Sequence, residues 1–73
     1  MYLYRFEVIV KEEVIHVVIA AKDDEEAFRL VDVELEKYFL KMPEVDDTSL
    51  YEKKRIGQGG GFVLYEQETV LEG

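Results

Sequence analysis

Tyr2-Leu3-Tyr4-Arg5-Phe6-Glu7-Val8-Ile9-Val10 sets how the rest of the chain must be read. Tyr2, Tyr4, Phe6, Val8 and Val10 occupy one parity, and Arg5 and Glu7 stand on the other with Leu3 and Ile9. Successive side chains of a β-strand point to opposite faces. Period-2 alternation rich in aromatic and β-branched residues therefore describes a half-buried strand, not a helix.

Lys11-Glu12-Glu13 is a polar break, and residues 14–20 resume the pattern with Ile15, Val17 and Ile19 on one parity. Two such runs joined by a short connection imply an antiparallel hairpin. No Asn-Gly or Asp-Gly marks its turn, so the turn type stays open.

Residues 23 to about 41 read as the single helix. Asp23 is the expected N-cap, and Glu26 follows three positions later, a variant of the capping box. Asp24, Glu25 and Glu26 complement the positive end of the helix dipole, and Lys37 and Lys41 the negative end. Pro43 stops the helix. Ala27, Phe28, Val31, Leu35, Tyr38, Phe39 and Met42 fall in one stripe, the face expected to lie on the sheet.

An acidic connection at 44–47 leads to a third strand at 48–56, with Leu50, Glu52, Lys54 and Ile56 on one parity and Tyr51, Lys53 and Arg55 on the other. Its charge suits an edge, where lysines discourage further pairing. A glycine-rich connection at 57–61 precedes a fourth strand at 62–66. The acidic tail, 67–73, is expected to fray. The order predicts an α+β domain over residues 1–66: ββαββ, a four-stranded antiparallel sheet with one helix packed on one face. The pattern does not fix the strand order, and the preferred arrangement sets the third strand beside the first.

Composition narrows the function. The chain has 73 residues, 9 Lys+Arg and 17 Asp+Glu, a net charge of −8 and no cysteine. Disulfides, Cys-based zinc sites and Cys nucleophiles are impossible. The charge disfavours nucleic acid, whose binding rests on Lys/Arg neutralising phosphates. The N-terminus lacks the pattern of a signal peptide. The longest uncharged apolar stretch, 14–21, is broken by His16 and far shorter than the ~20 residues of a membrane span. A cytoplasmic protein with no cofactor and no membrane attachment is the expectation.

No catalytic constellation appears. His16 is the only histidine. Ser49, Thr48 and Thr69 sit in no Gly-x-Ser-x-Gly elbow, and the carboxylates near Asp23 lack the spacing of an EF-hand. The protein is not expected to be an enzyme. Two surfaces remain. Leu3, Ile9, Val14, His16 and Val18 lie on the sheet parity away from the core, and Leu30, Val33 and Leu40 on the helix side away from its stripe. Together they suggest a contact surface for a protein partner or a second copy of the chain. The alternative is an anion or nucleic-acid site at Lys53, Lys54 and Arg55 with Gly59 and Gly60, since glycine loops can present backbone N–H groups to phosphate. The loop matches no Walker pattern and leads into a strand, so the helix dipole would be missing.

The segments Met1-Tyr2-Leu3-Tyr4-Arg5-Phe6-Glu7, Val33-Glu34-Leu35-Glu36-Lys37-Tyr38-Phe39-Leu40, Glu52-Lys53-Lys54-Arg55-Ile56-Gly57 and Gly61-Phe62-Val63-Leu64 resemble a family of short uncharacterised proteins from Bacillus-type bacteria, a domain of unknown function. The resemblance covers roughly residues 1–66. It implies a bacterial cytoplasmic protein and carries over no activity. The strand-to-helix entry at 17–27 also resembles that of small archaeal ribosomal-protein-like domains, an analogy of fold alone. The reading is a non-enzymatic interaction or regulatory module, with a homodimer as one form of it.

Overall fold

The computed structural model describes residues 1–64. In chain order these form β1 (Tyr2–Val10), β2 (Glu13–Ala21), α1 (Asp24–Phe39) and β3 (Asp47–Arg55). The sheet is antiparallel with three strands in the order β2-β1-β3, so the third strand does lie beside the first.

The α+β class, the helix and the antiparallel sheet hold, and among the described residues the sheet has three strands rather than four. Phe62, Val63 and Leu64 belong to no strand, and residues 65 and 66 lie outside the described residues, as does the expected tail.

β1 is the central strand, and its even residues make the core. Tyr4, Phe6, Val8 and Val10 pack with Ile19 and Ala21 of β2 and with Ala27, Val31 and Leu35 of α1. Tyr4 stacks on Phe6 with centroids 6.0 Å apart, and Phe6 meets the edge of Phe28 at 4.9 Å. The helix stripe is narrower than expected. Ala27, Val31 and Leu35 are buried, whereas Tyr38 is 80% exposed, and Phe28, Phe39 and Met42 also reach solvent. A sheet of three strands is too small to cover the whole stripe.

The hairpin turn is Lys11-Glu12, because Val10 pairs directly with Glu13. Both turn residues have positive φ, 51° and 69°, the signature of a type I′ turn. Asp46 braces it, donating its N–H to the Ile9 carbonyl at 2.8 Å and accepting the Lys11 N–H at 3.2 Å. At the helix start the Asp23 carboxylate accepts the Glu26 N–H at 2.8 Å. Glu26 reaches back to the N–H of Lys22 at 3.0 Å, one residue before the usual target of a capping box. The helix ends at Phe39, with Leu40 in the left-handed conformation and Pro43 beyond.

β3 carries a bulge that its sequence does not announce. Arg5 pairs with Glu52 but Phe6 pairs with Leu50, so Tyr51 is the extra residue. The bulge breaks the expected parity. Leu50 and Lys53 both flank the helix-side residues of β1, while Glu52 and Lys54 flank those of the open face.

Candidate functional site

The face of the sheet opposite α1 carries most of the expected contact residues. Register places Val14, His16 and Val18 of β2 beside Ile9, Glu7 and Arg5 of β1, with Leu3 next along the strand. Val14 and Val18 are 46% and 41% exposed.

A row of charge crosses this face. Arg5 lies 3.6 Å from Glu7 and 3.9 Å from Glu52, and His16 Nδ1 lies 3.9 Å from Glu7. The Arg5 guanidinium sits 4.5 Å from the centroid of Tyr51, a cation–π stack made by the bulged residue. These separations exceed hydrogen-bond lengths, so Arg5 forms ion pairs with Glu7 and Glu52, and the contacts of the row span three strands. The alternation of Arg5 and Glu7 within an apolar strand was a visible signal for the row. Its closure by Glu52 and Tyr51 depends on the bulge.

The row lacks the contacts of a catalytic site. Glu7 stands between His16 and Ser49, with His16 on one neighbouring strand and Ser49 on the other. Two strand spacings separate base from hydroxyl, about 10 Å. The Ser49 hydroxyl instead donates to Asp47 at 3.2 Å. Nucleophilic catalysis needs base and nucleophile within hydrogen-bond reach. Among the described residues no group of three His, Asp or Glu side chains is placed to hold a metal ion. Among the described residues no helix is long and apolar enough to cross a membrane.

The helix residues do not join the sheet-face surface, because α1 lies on the other layer. Leu30 packs against the core rather than facing away from it. Val33 is half-buried, and Leu40 is exposed at the C-cap. A period of 3.6 residues left Leu30 just outside the stripe, yet it is partly buried against the core cluster.

The basic residues are split as well. Lys53 and Arg55 register with Tyr4 and Tyr2, and Lys54 with Leu3, so adjacent cations leave opposite faces of β3. Lys53 Nζ lies 2.8 Å from Asp24 and 4.4 Å from the centroid of Tyr2. Lys54 donates to the Gly61 carbonyl at 2.8 Å and lies 5.0 Å from the Phe62 ring centroid. Both ammonium groups are thus engaged within the chain and form no common anion cradle with the loop. The glycines have structural reasons instead. Gly59 has φ 130°, and a Cβ on Gly60 would stand 2.7 Å from Ile56 Cγ2.

Asp24 is the centre of a second polar cluster, missed from sequence because it read only as a first-turn acid. The buried Tyr4 hydroxyl donates to Asp24 at 2.7 Å. The hydrogen bonds from Lys53 and Tyr4 outweigh the cost of desolvation and hold the Asp24 carboxyl below its ordinary range. Burial first, and the Asp24 carboxylate second, push the Tyr4 phenol up. The bond to Asp24 raises Lys53. The cluster ties three elements together and fastens β3 to the helix start.

The remaining feature is the rim where β2 faces the helix. A groove of about 600 Å³ runs along it, lined by Ile15, Val17, Leu35, Tyr38 and Phe39 among others. β2 is an outer strand of the described sheet, and no Lys, Arg, Asp or Glu occurs from residue 14 to residue 21.

No curated protein and no solved structure matches the chain. A family described as "Protein of unknown function (DUF3906)" matches residues 1–64. That span is most of the 73 residues and includes every described element, so the chain belongs to the DUF3906 family.

Proposed function

We propose that the protein is a non-enzymatic interaction module that works through β2. One observation carries the reading. The outer side of β2 is uncharged over residues 14–21, while the other outer strand, β3, is charged and bulged. Proteins defend outer strands with charges, bulges or covering segments because such strands template further pairing. β3 has those defences, and beside β2 lies a groove whose apolar lining of Ile15, Val17, Val18, Leu35, Tyr38 and Phe39 is interrupted by Glu13, His16 and Glu34. The apolar residues Val14 and Val18 extend the same rim onto the open face.

The test is association measured by sedimentation velocity, together with affinity capture from a native lysate, for the wild type and for Val14→Asp and Val18→Asp. Both sites are half-exposed, so the variants are expected to fold while losing self-association or a captured partner. A strict monomer whose captured set is identical in wild type and both variants refutes the reading. Leu30→Asp is unsuited to this purpose, since Leu30 packs on the core.

A further inference from the structure

The closing pair of the hairpin fixes which backbone groups of β2 face outward. In a two-residue hairpin the closing residues, here Val10 and Glu13, exchange hydrogen bonds. Glu13, Ile15, Val17, Ile19 and Ala21 therefore bond to β1, and the main chain of Val14, Val18 and Ala20 points away from it. Among the described residues no strand lies beyond β2. From Val14 to Ala20 this outer side runs for about 20 Å at 3.4 Å per residue.

Deepening the interaction reading above, on which it rests, we propose that β2 pairs antiparallel with β2 of a second copy of this chain about a two-fold axis through Val17. The result is a continuous six-stranded sheet in the order β3-β1-β2-β2-β1-β3.

The register follows from pleat and charge. Directly opposed residues must share a face, so the axis must pass through a residue rather than between two. With Val17 on the axis, Val17 opposes Val17 and Ile15 opposes Ile19 on the helix side. Val14 opposes Ala20, and His16 opposes Val18, on the open side. Beyond the strand ends Lys22 of each copy comes level with Glu12 in the other copy's hairpin turn, giving an acid–base contact at both ends. Shifting the axis to His16 opposes two imidazoles and sets Lys22 against Val10. Shifting it to Val18 sets Lys22 against Val14. Of these three registers, the Val17 one alone keeps the two imidazoles apart and sets Lys22 against an acidic residue.

This axis is perpendicular to the sheet, so both helices lie on one face. The exposed Tyr38 ring and the groove beside Ile15 and Val17 then flank the seam from each side. The occupant is a second copy because the strand's own sequence supplies the complementary charges.

The full chain is to be examined by sedimentation velocity from about 5 to about 100 µM, a range in which mass action reveals a micromolar dimer. Val18→Pro removes an N–H that does not serve β1, so it is expected to fold and to weaken the dimer about tenfold or more. Val17→Cys places two thiols in a non-hydrogen-bonded pair, about 4.5 Å between Cα atoms, within disulfide reach. The chain has no other cysteine, so rapid oxidation to a covalent dimer reads this register alone. A monomer at about 100 µM overturns the pairing. So does a dimer that survives Val18→Pro or that Val17→Cys fails to cross-link, while leaving the broader interaction reading standing on another surface. Should Val18→Pro unfold, Val18→Lys and the cross-link decide by the same outcomes.

Discussion

The Lys53 ammonium stands 2.8 Å from the Asp24 carboxylate, joining the outer strand β3 to the first turn of α1. Asp24 also receives the Tyr4 hydroxyl, so one carboxylate links β1, β3 and the helix. No strand pairs β3 on its other side among the described residues, and this link substitutes for that support.

Stability is expected to depend on pH at both extremes. The Asp24 carboxyl is held below its ordinary 3.8, so its contribution is present above that value and is lost as pH falls through the lower folded value. Tyr4 and Lys53 are raised above 10.0 and 10.5, so their contributions are complete below those values and are lost as pH rises through the folded ones. Urea midpoints from a pH of about 2 to about 11 should show a plateau with two falling limbs. Lys53→Met should shrink the acid limb, because it removes the largest cause of the Asp24 shift. An unchanged acid limb would show that the pair is not coupled to folding.

Phe6→Ala should remove a large share of the stability. Phe6 is fully buried and touches both Tyr4 and Phe28. Truncating such a ring costs about 3–5 kcal/mol, against a total of roughly 4–11 kcal/mol for a domain of this size. Phe28→Ala, at a site that reaches solvent, should cost clearly less. Thermal melts followed by circular dichroism compare the two.

Replacing Lys11-Glu12 by Asn-Gly should stabilise the hairpin. Both residues occupy positive φ, which an L side chain adopts at a cost and Asn and Gly tolerate. A gain of about 1 kcal/mol or more is expected, seen as a higher urea midpoint at unchanged slope. A loss would mean that the Asp46 brace depends on the Lys11 side chain as well as on its N–H.

Much of the fold is legible in local chemistry. The alternation of Tyr2, Tyr4, Phe6, Val8 and Val10 names the core strand, because burial acts on every second residue whatever lies opposite. Asp23 followed by Glu26 marks the helix start, because capping involves only neighbours in the chain. Of the fourth strand expected at 62–66, the described residues Phe62, Val63 and Leu64 belong to no strand. The Lys11-Glu12 turn was hidden because its residues are not those a type I′ turn favours, and Asp46, 35 residues away from Lys11, holds it.

The sequence by itself determined the secondary elements, the buried parity of β1 and the membership of the even and odd residues in opposite faces. Only the tertiary structure decided the bulge at Tyr51, the separation of Lys53 from Lys54, the burial of Leu30 and the contrast between the two outer strands. Register and strand order come from pairings between residues far apart in the chain. Each such pairing gains its energy from a partner that local pattern does not name.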